Sequence, residues 1–192
     1  MTIPAPRLAP LAEPYEPDIA AALSRWMPPG AQIEPLALFR TMYLNQELAG
    51  RMRLLGAGIL GRTATVPARL REVMIERTCA LTGAEYEWGV HAAAFAGSVG
   101  LDEEQLRSTV HGSPADACWA PAEATAMRLA DELHETSSIS EETWRELAAL
   151  FESEQIIELI VTAGWYHVIA YLCNGLRVEH EAWATPFPPA AR

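Results

Sequence analysis

The sequence predicts an all-α domain on three observations. Apolar residues recur at three- and four-residue spacing through most of the chain, helix-starting and helix-stopping residues fall between those runs, and no stretch alternates convincingly as a strand. Half of the 192 residues are apolar and 20% are charged, the composition of a chain that buries a core rather than staying disordered. A chain of this length fits one domain that needs neither disulfides nor metals to hold it.

Taken in order, residues 1–35 carry eight of the fourteen prolines, from Pro4 to Pro35. Proline fixes φ and removes a donor, so this stretch is expected to be an extended arm, with one short helix around Asp18 to Trp26, that wraps the body or a neighbour. Leu36, Phe39 and Tyr43, then Leu48, Met52, Leu55 and Ile59, give the stripes of the next helical segments. Pro67 suits a first helical turn, and the run through Leu70, Val73, Met74, Ile75 and Leu81 stops at Gly83. A helix from about Ala84 to Gly97 follows, and Gly100 precedes a start at Asp102 whose first turn holds Glu103 and Glu104, acids placed where the helix dipole favours them. Pro121 opens a helix through Met127, Leu129 and Leu133. Ser140, followed by Glu141, Glu142 and Thr143, caps another, with Trp144, Leu147 and Phe151 on its apolar stripe. The last helix begins at Ser153. Its apolar stretch, Ile156 to Leu172, is interrupted by Glu158, Thr162, Tyr166 and His167 and falls short of the ~20 residues of a bilayer span, so it reads as a buried helix. Pro186, Pro188 and Pro189 set off a tail over 184–192.

Charge narrows the partners. With 14 basic against 25 acidic residues the formal charge is -11, a field that repels phosphate backbones and anionic lipid, so neither nucleic acid nor a membrane is an expected partner. Cys79, Cys118 and Cys173 are odd in number and far apart, which gives no disulfide framework and no Cys-x-x-Cys pair, and no basic cluster followed by an apolar run marks a secretory signal at the start. A cytoplasmic protein is the expectation.

Several motifs fail on context. Gly56-Ala57-Gly58-Ile59-Leu60-Gly61 spells the dinucleotide fingerprint, but that motif works after a β-strand, and Leu48 to Leu55 reads as helix. A zinc site needs at least three protein ligands, and His134-Glu135 and His180-Glu181 are only fragments of a metalloprotease motif, so no metal is expected. Ser98 lacks the spacing of a nucleophile elbow. His167, in a helix apolar on nearly all sides, reads as a hydrogen-bonded structural residue.

The segment Ala84-Glu85-Tyr86-Glu87-Trp88-Gly89-Val90-His91 carries the candidate chemistry. At 3.6 residues per turn it brings Ala84, Glu87, Trp88 and His91 to one side, with Glu87 and His91 one turn apart. A carboxylate beside an imidazole suits proton transfer, since each shifts the other's pKa and holds it in place. The same spacing also describes an ordinary surface pair worth ~0.2 to 0.5 kcal/mol. On a helical wheel Glu72 sits with Glu76, away from Val73, Met74 and Leu81, a position open to a solvated face as well as to a site.

From about Asn45 to Leu106 the chain resembles the carboxymuconolactone decarboxylase and alkylhydroperoxidase-like family, through Leu70-Arg71-Glu72, Leu81-Thr82-Gly83, and Glu85-Tyr86 with His91. The peroxidase branch carries Cys-Glu-Tyr-Cys, then three residues and a histidine, with a glutamate twelve positions before the first cysteine. On this sequence the glutamate falls on Glu72, the histidine on His91, and the two cysteine positions on Ala84 and Glu87. Cysteine peroxidase chemistry needs a thiolate and a resolving thiol, and neither residue supplies one. Cys79, five residues before Ala84, reads as a core thiol.

The resemblance therefore implies an alkylhydroperoxidase-like helical domain over 36–183, flanked by the arm and the tail. It implies acid/base chemistry as in the decarboxylase branch, without metal or organic cofactor, on a small organic acid or lactone, with decarboxylation the leading case. His91 would be the central proton carrier, Glu87 its partner, Glu72 a second carboxylate, and Tyr86 and Trp88 would shape the substrate site. A homo-oligomer is implied as well, of trimers, multiples of them, or dimers. Two other functions stay open: a peroxidase-like redox protein using Cys79 or Cys118, and a non-catalytic binding or assembly module.

Overall fold

The computed structural model describes residues 5–28, 30–31 and 33–190; Pro4, the first proline of the expected arm, lies outside them. Among the described residues every regular element is helical. Helix α1 (Pro17–Ser24) and α2 (Ala37–Met42) lead through a single 3₁₀ turn into α3 (Gln46–Leu60), and α4 (Ala68–Leu81) follows. A π turn, Ala92–Ala96, joins α5 (Glu85–His91) to the short α6 (Gly97–Val99). The chain continues as α7 (Glu103–His111), α8 (Pro121–Thr136), α9 (Glu141–Leu150) and α10 (Ser153–Leu176).

The starts and stops are where the residues dictate them. Asn45, Asp102 and Ser140 each accept a hydrogen bond from a first-turn N–H of α3, α7 and α9, satisfying donors that helix geometry orphans. Gly83 turns with φ 63°, a left-handed conformation that costs glycine nothing, so α5 folds straight back on α4.

Helix α4 is the centre of the fold. It packs against α5, α7, α8 and α10 together, and residues Leu70 and Glu72 to Cys79 are all buried, including the polar Glu72, Glu76, Arg77 and Thr78. A helix enclosed on every side cannot send its charged residues to water, so each needs a partner or must lose its charge. Arg77 has its partners: its guanidinium donates to both carboxylate oxygens of Asp131 on α8, at 2.6 and 3.1 Å, and to the Thr109 carbonyl of α7 at 2.9 Å. The Glu72 and Glu76 side chains lie under the candidate site.

Both ends of the chain are built into the body. The arm bonds along α2 and α10, through Leu11 N–H to the Arg40 carbonyl and Arg7 N–H to the Leu176 carbonyl, and Leu23 of α1 is fully buried. Past α10, Thr185 N–H reaches the Gly89 carbonyl at 3.1 Å, an approach that only glycine permits because a β-carbon at Gly89 would meet the Thr185 oxygen.

Three sequence expectations are corrected. The buried face of α3 is Ala49, Gly56 and Ile59, while Leu48 and Leu55 of the expected stripe are exposed, as is Trp144 of α9. The final helix runs 24 residues and, among the described residues, is long and apolar enough by length and composition to cross a membrane. It lies against α3, α4, α5, α8 and α9 on one face only, so Ile157, Val161, Val168 and Tyr171 on the other remain exposed.

Candidate active site

Three elements place the acid/base residues. Glu72 and Glu76, one turn apart on α4, meet the face of α5 that carries Glu87 and His91, and α10 adds Tyr166. His91 Nδ1–H donates to Glu72 Oε2 at 2.7 Å, and both side chains are buried. The other imidazole nitrogen, Nε2, lies 3.1 Å from the Tyr166 hydroxyl and 3.6 Å from Glu87 Oε1. The Phe95 ring, from the π turn, packs on the imidazole at 5.0 Å between centroids. Arg71 backs the pair, its Nε 3.4 Å from Glu72 Oε1. The helix distortion begins one residue past His91, and it is this turn that brings Phe95 to the ring.

Burial and charge compete over the proton on His91. Desolvation alone would push the imidazole toward neutrality, but the Glu72 carboxylate, its hydrogen bond and the Glu87 carboxylate reverse that and raise the pKa to about 10. His91 is therefore an imidazolium at neutral pH, a proton donor. Burial drives Glu76 the other way, well above the usual carboxyl range, and neither of its oxygens has a partner among the described residues. It is held as the neutral acid. Among the described residues the remaining orphan of the buried side-chain atoms is Glu87 Oε2, so all three unsatisfied atoms found there belong to this cluster. Desolvation likewise keeps the Tyr166 hydroxyl protonated.

A cavity of about 490 Å³ opens onto the cluster. Glu87, His91 and Tyr166 contribute to its lining, Glu72 stands behind His91 without reaching it, and most of the remaining wall is apolar: Trp26, Phe39, Phe95, Trp165 and Trp183 among others. Gly56 forms part of that wall, close enough to the Trp165 ring that a β-carbon would sit 3.3 Å from it, which gives the glycine-rich stretch a packing role within a helix.

The cavity thus joins Glu87 and His91 at one surface and puts Glu72 beneath them, correcting the solvated-face alternative for Glu72 and Glu76. Tyr86 and Trp88 are elsewhere. The Tyr86 hydroxyl donates to Glu181 at 2.7 Å and accepts from Leu38 N–H, and its ring borders a separate cavity of about 700 Å³ with Glu85, Cys173 and His180. Trp88 Nε1–H donates to Thr109 on α7 at 3.0 Å, and its ring lies on Phe187. Both are structural ties, turned aside because residues one step from Glu87 point about 100° round the helix. Tyr166, to which the sequence assigns no role, is the α10 residue in the site, and His167 is the hydrogen-bonded structural residue expected. His167 bonds the Ala163 carbonyl and His134. The one available signal was a hydroxyl on the buried stripe of an apolar helix. Cys79 is wholly buried, and burial raises its thiol pKa well above the ordinary value.

The raised His91 pKa has a consequence for stability. A group that binds its proton more tightly in the folded state stabilises it most below the unfolded pKa of about 6.5, and that contribution is lost as pH rises through about 10. Glu76, also raised, acts in the same direction. The thermal midpoint is expected to fall as pH rises across this window, and the slope to flatten in His91→Gln. An equal slope in the variant, measured by circular dichroism melts, would show that His91 is not the group responsible.

Residues 46–132 match the carboxymuconolactone decarboxylase family. None of the curated proteins matches the sequence. Among solved structures the chain is similar to an uncharacterized peroxidase-related protein from Silicibacter sp. TM1040, with TM-score 0.80 and 15% identity over 98% of this chain and 100% of that one. It is similar also to the debrominase Bmp8, as a cysteine-to-alanine variant in complex with 2,3,4-tribromopyrrole, with TM-score 0.75 and 18% identity over 91% of each chain. A protein of unknown function from Agrobacterium tumefaciens aligns with TM-score 0.66 and 15% identity, over 73% of this chain and 95% of that one. At these identities the likeness is one of fold.

Proposed function

We propose that this chain, whose residues 46–132 match the carboxymuconolactone decarboxylase family, is an acid/base enzyme, decarboxylating or moving a proton on a small organic acid or lactone without metal or organic cofactor. The observation that carries the reading is the buried Glu72–His91 pair, 2.7 Å apart, behind a cavity that Glu87 helps to line, one of whose buried carboxylate oxygens has no partner among the described residues. A donor and an acceptor then stand together at one apolar surface, where electrostatic interactions are stronger than in water.

In this mechanism Glu87 accepts a proton from the substrate, or orients its carboxyl group. Glu72 fixes the imidazole and sustains its charge. In a decarboxylation the carbon–carbon bond breaks, its electron pair stays on the substrate carbon and CO₂ leaves. That carbon takes the proton from His91 Nε2, directly or through the Tyr166 hydroxyl, and water restores it. Glu76, neutral and beneath the pair, adds no further negative charge to those of Glu72 and Glu87.

The exposed apolar residues of α3 and α10, among them Leu54, Ile157 and Tyr171, are the surface we assign to self-association. A thiol peroxidase reading has less support: Ala84 and Glu87 occupy the two cysteine positions, and Cys79 lies in the core and is not among the cavity's lining residues.

The discriminating experiment offers organic acids and lactones to the wild type and to a variant with all three cysteines changed to alanine, assayed for CO₂ release and for solvent deuterium at carbon. Both proteins are expected to turn over alike, and peroxide reduction by the wild type should not exceed that of the cysteine-free variant. Thiol-dependent peroxide turnover lost in Cys79→Ala would overturn the acid/base reading.

A further inference from the structure

Glu87, His91 and Tyr166, all buried, are polar residues of the cavity's lining. Its other charged residues are Arg25, which caps the C-terminus of α1, and Arg53 of α3. Arg25 is exposed and Arg53 half-buried, so both stand nearer solvent than the buried trio. The rest of the lining is predominantly apolar and rich in aromatic rings, with Trp26, Phe39 and Trp165 prominent.

Neither guanidinium makes an ion pair or hydrogen bond among the described residues, as is also true of Arg62, Arg145 and Arg177, whereas Arg40, Arg51, Arg69, Arg71, Arg77 and Arg128 all have carboxylate partners within 4 Å. What sets Arg25 and Arg53 apart from those three is that both line the cavity. Arginine is the side chain whose fork of N–H donors matches a carboxylate, and charge-assisted bonds of this kind are about twice as strong as neutral ones. An anion drawn to this rim would leave the rest of its body among aromatic rings, which favour a flat π-system stacked or edge-on.

We propose that the ligand of this cavity is an aryl-bearing carboxylate, held by one carboxylate at Arg25 and Arg53 and extending its reacting end to Glu87 and His91. The inference rests on the acid/base reading for what happens at the inner end and adds the recognition of the outer end. The cavity volume, about 490 Å³, suits a ligand of this size. Carboxylate recognition at the rim explains how an acidic protein draws an acidic ligand: the local field at the mouth opposes the field of the whole chain.

The test is binding rather than turnover. Phenylacetate, cinnamate, 4-phenylbutyrate and indole-3-propionate, each paired with its primary amide, are titrated into the full chain at low salt, with tryptophan fluorescence and calorimetry as readouts. At least one acid is expected to bind on the order of tenfold more tightly than its amide. The Arg25→Gln, Arg53→Gln double variant should lose that preference while keeping the affinity for the amide, since neither side chain is fully buried or builds the apolar wall. His91→Gln should keep the preference, because its group stands at the other end. Acids and amides bound equally in every pair, a preference that survives in the double variant, or no acid bound at all would overturn the proposal. Loss of turnover in His91→Gln with binding intact, or turnover unaffected, reports on the acid/base reading separately.

Discussion

Changing His91 to glutamine is expected to lower turnover roughly 10²- to 10⁴-fold, the range over which a positioned general acid or base acts. The side chain would remain similar in size and could still donate to Glu72, and its amide oxygen could accept from the Tyr166 hydroxyl in place of the bond the imidazolium donates, so the site would keep its shape and lose its transferable proton. Glu87→Gln should fall in the same range for the complementary reason: the amide fills the carboxylate's place and cannot take a proton. The two losses are not expected to multiply, because donor and acceptor serve one proton-transfer sequence and removing either stalls it. Steady-state kcat/KM for the single and double variants, with melting curves to confirm folding, measures this. If Glu87 and His91 were only a neighbouring pair on α5, activity would stay near normal and stability would move by about 0.5 kcal/mol. A folded His91→Gln enzyme working at the wild-type rate would remove the proposed centre.

What the sequence disclosed about this site follows from how far its physics reaches. Glu87 and His91 were legible because a helix's own period sets them one turn apart, and the structure keeps them on one face with Nε2 and Oε1 at 3.6 Å. Glu72 became legible only through the family motif. The wheel placed it with Glu76 on a side open to water, because the pattern of one helix does not say that four others surround it; α4 is buried in all directions, and its acids with it. The cavity was not legible at all. Its walls come from the segment after α1, from α2, α3, α5 and α10, and from Trp183 near the end of the chain, residues more than 150 positions apart whose meeting is a property of the fold. Tyr86 and Trp88, which the resemblance implies would shape it, do not line it. On a helix, nearness of one residue is a change of face, and the structure spends both side chains on anchoring α5 to its neighbours.

Removing the carboxylate that sustains His91 should be the most destabilising single change at the site. Glu72→Ala takes away the 2.7 Å partner of a fully buried imidazolium and the carboxylate facing Arg71, and breaking a buried pair from one side costs about 3–5 kcal/mol. For a chain of this length that corresponds to a fall in melting temperature of roughly 6–20 °C. Part of the cost is relieved when His91 gives up its proton, so the loss should be smaller at high pH than at low, which a pure cavity effect would not show. Glu72→Gln separates charge from volume: the amide oxygen still accepts from Nδ1–H, the packing is retained, and only the negative charge goes. Without it the imidazolium loses its main support against burial and the His91 pKa falls from about 10. Activity that depends on the protonated imidazole would then decline at lower pH than in the wild type, moving the alkaline limb of the kcat/KM profile downward while the variant melts close to the wild type. A Glu72→Gln enzyme with an unmoved alkaline limb would mean that Glu72 only fills space behind His91, and the proton on the imidazole would need another source of stabilisation.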